Sequence, residues 1–234
     1  MKVDGLWGRL LRLALPPRCL LCGDAGADGR DLCAGCRDDM PANAACCARC
    51  ALPLPGAATH CGGCVRRPPP FDAAWAAFRY AHPLDLLETR FKFGGDLAAG
   101  RVLAELMIAR IERDPPARPQ MLLCVPLHAG RLRRRGYNQA LELARPLARA
   151  LGLPLAPDAL VRRRATTAQT GLDGPARRRN LCGALALRPG HTLPAHVAVL
   201  DDVMTTGATL GECASVLRAA GVERVDVWAL ARAP

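Results

Sequence analysis

Between Cys19 and Cys64 the chain repeats itself in cysteine. Cys19-x-x-Cys22 is followed after ten residues by Cys33-x-x-Cys36, and Cys47-x-x-Cys50 is followed after ten by Cys61-x-x-Cys64. Every member of the second set lies 28 positions after its counterpart. A Cys-x-x-Cys knuckle offers two thiolates to one ion, and two knuckles complete a tetrahedral set around zinc. Gly23 and Gly62-Gly63 suit the tight turns such knuckles need. The spacing predicts two structural zinc sites, one per repeat: Cys19, Cys22, Cys33 and Cys36, then Cys47, Cys50, Cys61 and Cys64. Cross-bracing between the repeats is the alternative pairing. A unit this small buries too little apolar surface to fold without metal. Four pairs in register argue against a redox motif, and the lack of an export signal argues against disulfides. Cys46 is left over, as a spare neighbour or a substitute for Cys47, and His60 beside Cys61 is a bystander. The all-thiolate set leaves no open position for catalytic water, so its role is structural or that of a docking surface.

A second constraint sits near the C-terminus. His196-Val-Ala-Val-Leu200 reads as a buried strand, followed by Asp201 and Asp202 and then by Thr205-Thr206-Gly207-Ala208-Thr209. Leu210, Cys213, Leu217 and Ala220 next fall on one helical face, with Gly221 in the stop position. Thr209 and Glu212 have capping-box spacing, which predicts a helix start at Thr209. Backbone N–H groups at a helix N-terminus favour an anion, and Gly207 lets the backbone approach one closely. Two carboxylates just upstream can accept hydrogen bonds from a sugar diol. The stretch is shaped for a 5-phosphate at one end and a ribose diol at the other.

Asp201-Asp202-Val-Met-Thr-Thr-Gly-Ala-Thr209 resembles the phosphoribosyl-pyrophosphate (PRPP) loop of type I phosphoribosyltransferases. Within that superfamily the whole chain resembles the ComF family, a competence-protein group joining a Cys-rich N-terminus to a phosphoribosyltransferase-like domain. The resemblance implies an α/β fold with a mostly parallel sheet flanked by helices, behind a small Cys-rich zinc-ribbon domain. It extends to Lys92-Phe-Gly-Gly-Asp96, to Val125-Pro-Leu127 with Arg131, Arg135, Gly136, Asn138 and Gln139, and to Gln169, Leu172, Arg177 and Asn180. By that match Asp201 and Asp202 take the catalytic place, and Thr205, Thr206, Gly207, Ala208 and Thr209 bind the 5-phosphate. Arg131 and Arg135 lie near the pyrophosphate, Mg²⁺ accompanies PRPP, and Gln169 and Arg177 belong to a lid over the reacting carbon. The family is also associated with DNA uptake in natural transformation, which implies single-stranded DNA or a competence helicase as partners.

The remaining chain divides accordingly. Residues 1–15, with Arg9 and Arg12 interrupting an apolar run, read as a short amphipathic helix ended by Pro16-Pro17. The ribbons occupy 16–70, ending in the stiff Pro68-Pro-Pro70, and the α/β domain runs over 71–234. Trp75 to Tyr80 and Met121 to Val125 have strand character, as do Ala184 to Leu187 and Val225 to Leu230. A short helix is expected over 84–90, a longer one behind an Asp96 N-cap, and another over 139–151 that Pro146 bends or opens. A strand ending in an arginine-rich loop, 126–139, is a natural second anion site, because ligands of open α/β sheets gather at strand C-termini. Arg133 and Arg134 read as solvated, Cys124 and Trp228 as core. Lys92 is read either as approaching the ligand or as a surface lysine.

The formal charge of +11 fits polyanionic partners, phosphate-rich substrates or nucleic acid. Arg162–Arg164 and Arg177–Arg179 are a second candidate patch for nucleic acid. Aromatics at 4 % count against a groove built on base stacking. No run approaches the ~20 apolar residues a membrane span needs, so a cytoplasmic protein is expected. The sequence contains no Ser/His/Asp or Cys/His constellation. Two functions remain open: Mg²⁺-dependent phosphoribosyl transfer to an acceptor the sequence does not reveal, or a non-catalytic DNA-handling adaptor that uses the PRPP site as a sensor or relic.

Overall fold

The computed structural model describes residues 16–56, 58–163 and 183–234. The expected N-terminal helix over 1–15 and the lid residues Gln169 and Arg177 lie outside these, as do Leu172, Asn180, Arg164 and Arg177–Arg179. The Cys-rich front contains two one-turn helices, α1 (Ala34–Asp38) and α2 (Gly62–Arg66), each opened by a cysteine whose sulfur accepts a backbone N–H. Behind them lies a five-stranded, all-parallel sheet. Its strands are β1 (Ala73–Arg79), β2 (Met121–Cys124), β3 (Leu155–Ala156), β6 (His196–Met204) and β7 (Arg224–Arg232), in the order β1-β7-β6-β2-β3. A separate antiparallel pair joins β4 (Leu160–Arg162) to β5 (Leu185–Leu187).

Central strands buried on both faces should read as continuous apolar runs, and they do. Val197 to Leu200 and Val225 to Ala231 are buried throughout, with the single buried charge Asp226 near the foot of β7 held by His196 and Arg224. The helices follow the connections. α3 (Leu84–Gly94) and α4 (Leu97–Arg113) link β1 to β2, and α6 (Gln139–Leu151) links β2 to β3. α7 (Ala208–Ala219) links β6 to β7. Right-handed crossovers place helices from β1 and β2, which step one way across the sheet, on the opposite face from α7, which steps the other way. The connections diverge between β2 and β6, which are neighbours, so a crevice opens at their C-terminal ends.

Several local expectations need correction. Leu84–Arg90 is not a short separate helix: α3 continues through Lys92 and Phe93 to Gly94, where Gly95 in the left-handed region ends it. The arginine-rich 126–139 stretch is partly helical, as α5 (Ala129–Arg135) closed by Gly136. Asp201 and Asp202 lie inside β6 rather than after it. The capping box is absent. The N-cap of α7 is Gly207, two residues before Thr209, and Glu212 Oε1 instead accepts the backbone N–H of Gly183 at 2.8 Å. Asp96 and Asn138 cap α4 and α6 as expected, and Pro146 sits within α6.

Candidate functional site and metal centres

The eight cysteines assemble as two sets, Cys19/Cys22/Cys33/Cys36 and Cys47/Cys50/Cys61/Cys64, with the sulfurs of each set within 4.8 Å of one another. Consecutive pairing is therefore realised and cross-bracing is not. A tetrahedral zinc with Zn–S of about 2.3 Å separates its sulfurs by about 3.8 Å, and Cys22–Cys33 and Cys50–Cys61 stand at 3.6 Å. Burial pushes the Cys19 thiol up, but backbone hydrogen bonds from Cys22, Cys33 and Leu21 outweigh it and bring its pKa to about 6. Cys47 is treated the same way by the backbone of Cys61, Cys50 and Arg49, also reaching about 6. One cysteine of each set is thus poised as a thiolate, while burial and neighbouring cysteines push Cys36 and Cys64 up, so the remaining thiolates form with the metal. Cys46 and exposed His60 stand outside both sets.

The second site fills the crevice between β2 and β6, a cavity of about 890 Å³. Its floor is the end of β6. Asp201 is half-buried and Asp202 buried, and their backbones fold tightly: Asp202 N–H donates to Asp201 Oδ1 at 3.0 Å and Val203 N–H to Asp202 Oδ1 at 2.7 Å. Beyond Met204 the chain turns through exposed Thr205 and Thr206 into α7. Gly207 there has φ of +71°, and a Cβ would come within 2.7 Å of Met204 Cε. Thr206 Oγ1 accepts from Ala208 N–H at 3.4 Å.

Lys92 reaches this floor from the last turn of α3. Its ammonium lies 3.0 Å from Asp202 Oδ2 and 3.0 Å from Oε1 of Glu88, one turn earlier. Glu88 is 1 % exposed and also accepts from the Tyr80 hydroxyl. The surface-lysine reading of Lys92 is thereby set aside. Burial raises Asp201, and the neighbouring Asp202 charge raises it further, so it holds its proton well above the usual carboxylate range. Burial acts on Asp202 too, but the Lys92 charge and hydrogen bond overcome it and hold that carboxyl below the usual range. The two aspartates are therefore unequal, Asp201 holding its proton to higher pH than Asp202.

The opposite wall is basic. His128 Nδ1 caps α5, which presents Arg131, Arg134 and Arg135 to the cavity. Burial, then the charges of Arg135 and Arg134, lower the Arg131 pKa. Arg135 is held by Gln139 at 2.8 Å and lies 5.8 Å from the centroid of Phe93, whose ring is 74 % exposed at the mouth. Asn138 ties this wall to the sheet by donating to the Val125 carbonyl at 3.0 Å. Arg133 and Arg134 are exposed, as expected, although Arg134 borders the cavity. Arg162 of β4, expected in a surface patch, lines the cavity instead, with Nε and Nη2 buried and lacking a hydrogen-bond partner. Five basic side chains thus face three carboxylates, Glu88, Asp201 and Asp202, so the cavity has a basic wall opposite an acidic floor.

Of the expected site residues the crevice brings together Asp201, Asp202, Thr205 to Thr209, Arg131 and Arg135. Lys92's partner Glu88 was overlooked although its i,i+4 spacing is a readable signal. Arg162 and Phe93 had no such signal, since their places depend on tertiary packing.

The fold and its two kinds of site define an α/β protein with a crevice walled by basic side chains and a front built on two four-cysteine sets. Residues 10–65 match the double zinc ribbon domain family. The chain is 37 % identical over 224 residues to "Competence protein F" of Haemophilus influenzae, covering 92 % of this chain and 97 % of that one. It is 34 % identical over 221 residues to "DNA utilization protein YhgH" of Escherichia coli O157:H7, covering 92 % and 89 %. This chain belongs to the competence protein F (ComF) family. "Competence protein ComFC" of Streptococcus pneumoniae is 26 % identical over 159 residues, 67 % of each chain. Among solved structures, a hypoxanthine phosphoribosyltransferase from Staphylococcus aureus overlaps 58 % of this chain and 64 % of its own, with TM-score 0.36 and 16 % identity. Among the described residues no helix is long and apolar enough to cross a membrane.

Proposed function

We propose that this protein binds PRPP, or a related phosphorylated pentose, in the crevice between β2 and β6 and serves in the use of incoming DNA. The observation that carries the reading is the join of β6 to α7. Asp201 and Asp202, the first raised and the second lowered in pKa, lie just before a glycine-turned helix N-terminus, in one cavity with five basic side chains. The 5-phosphate takes the backbone N–H groups and hydroxyls of Thr205 to Thr209. The ribose diol takes the aspartates, with Asp201 able to donate and Asp202 to accept. Arg131 and Arg135 face the pyrophosphate, and Mg²⁺ bound with the ligand would supply further charge neutralisation. For transfer to an acceptor, the ionised Asp202 stabilises positive charge developing at the anomeric carbon. Gln169 and Arg177 remain the proposed lid.

The DNA reading draws on the relatives' names, competence protein and DNA utilization protein. It favours single-stranded DNA or a helicase as partner of the ribbons and basic surface, with the pentose site as sensor. Calorimetry of PRPP with and without Mg²⁺ is the test. Micromolar binding that D202N and D201N/D202N abolish supports the site; absence of any heat in the wild type rejects it. Release of pyrophosphate across a panel of nucleobases and amines separates enzyme from sensor. Single-stranded DNA binding that survives D201N/D202N assigns the two functions to separate surfaces.

A further inference from the structure

Arg232, the last residue of β7, is 6 % exposed, and it donates to the carbonyl oxygens of Cys50, Met204 and Ala233. Nε donates to the carbonyl of Cys50, a member of the second cysteine set, at 3.0 Å. Nη1 donates to the carbonyl of Met204 at 3.3 Å and to that of Ala233. Met204 is the last residue of β6, immediately before the Thr205–Thr209 loop, and its methyl lies under Gly207. A buried guanidinium donating to carbonyls needs an anion nearby. The sulfurs of Cys50, Cys61 and Cys64 are the negative groups that act on it. Four thiolates around a divalent zinc leave a net charge of about −2, and one buried arginine offsets half of that.

The two cysteine sets differ in this respect. The polar contacts of the first with the sheet domain are exposed or half-exposed, Arg90 to the Leu20 carbonyl at 2.5 Å and Arg30 with Glu105 at 3.6 Å, beside the buried apolar Leu32. The second is seated through buried groups, with the Asn43 backbone N–H donating to the Ala77 carbonyl of β1 at 3.2 Å and Arg232 donating to the Cys50 carbonyl at 3.0 Å. One side chain therefore spans from a metal knuckle to the start of the phosphate-end loop.

We propose that Arg232 is a positioning residue that couples occupancy of the second four-cysteine centre to the ligand site, while the first centre stays independent. With metal held, the guanidinium is fixed between Cys50 and Met204 and the loop begins from a fixed carbonyl. Without it the Cys50 knuckle is no longer held, its carbonyl no longer fixes the guanidinium, and the loop loses that anchor. Linkage is reciprocal: a ligand that orders the loop slows metal loss from the second centre. This ligand half rests on the binding reading above; the metal half does not.

The test uses the zinc-loaded full chain, challenged with an excess of a chromophoric zinc chelator whose absorbance reports each zinc released. C22S, in the first centre, identifies which release phase belongs to which centre. In the wild type, ribose 5-phosphate at saturation slows the second-centre phase about fivefold and leaves the first unchanged. In R232M the second-centre phase accelerates about tenfold without ligand, the affinity for ribose 5-phosphate falls about tenfold, and the ligand no longer affects release. R232K, keeping the charge, restores the release rate in part, which a purely steric role would not do. Circular dichroism confirms that both variants are folded; should R232M not fold, R232K alone must release second-centre zinc at a rate nearer the wild type than R232Q. Equal second-centre release in wild type, R232M and R232Q overturns the proposal whatever the ligand does. Calorimetric binding of ribose 5-phosphate with no effect on either phase overturns the coupling while sparing the site, and no binding at all overturns the site reading together with the ligand half.

Discussion

At the scale of single residues the site is governed by a lysine shared between two acids. Removing the Lys92 ammonium leaves Glu88 and Asp202 facing one another with no cation between them. Breaking a buried ion pair in this way costs about 3 kcal/mol. K92M should therefore lower the urea midpoint measurably and weaken pentose-phosphate binding, whereas a surface lysine would do neither. The aspartates give a pH signature with a definite sign. Asp201's folded pKa is raised, so as pH climbs above about 4 the unfolded chain releases a proton that the folded chain retains, and stability falls until Asp201 itself ionises. Asp202, depressed by Lys92, contributes the opposite: stability present above about 4 and lost as pH falls through its folded pKa. D201N should accordingly be more stable than the wild type at pH 7 and match it near pH 3. Urea unfolding at both values checks this, and an unchanged difference would remove the raised-Asp201 assignment.

At the scale of elements, two glycines decide how closely pieces of the fold approach. Gly100 in α4 faces the Phe91 ring of α3, and a Cβ there would stand 2.5 Å from Phe91 Cε2. G100A should cost about 1–3 kcal/mol by overpacking and, because α3 carries Lys92, should also disturb the site. Gly207 is different: its left-handed φ and the nearby Met204 methyl make G207A strained by about 1–2 kcal/mol. That change falls on the loop rather than the core, so the expected loss is of phosphate binding, read by calorimetry, with a small shift in thermal midpoint. These elements also show what the sequence could disclose. Periodicity located β2, β6, β7, α4 and α6, because an apolar run or a helical stripe is a local property. The cysteine spacing defined both metal sets, because knuckles are local too. What escaped were the helix start at Gly207, which backbone geometry decides over the Thr209–Glu212 spacing, and the inward course of Arg162. That arginine sits in a run of three that reads as surface, and only the pairing of β4 with β5 turns it toward the crevice.

At the scale of the whole molecule, the ribbons and the sheet domain differ in what holds them together. The sheet domain is filled by a continuous apolar core from Ala76 through Leu230. The front has few large apolar side chains, among them Leu32 and Met40, and its remaining buried positions are mostly the cysteines themselves. Burial bookkeeping of about 0.8 kcal/mol per methylene cannot offset the ordering of about fifty residues with so little hydrocarbon. Metal must supply the difference. Chelation should therefore unfold residues 16–66 while the sheet domain stays folded. Alkylation mapped by mass spectrometry reads this directly, since cysteines mark both parts. After EDTA the eight ligand thiols should become reactive, whereas Cys124 and Cys213, both buried, remain protected until denaturant is added. Simultaneous exposure of all of them would mean that the sheet domain depends on the ribbons for its own stability, as an edge would whose β1 strand is bridged at Phe78 by Ala42 of the front. Protection of the ligand thiols after chelation would instead show that the front folds without metal, which its sparse core argues against.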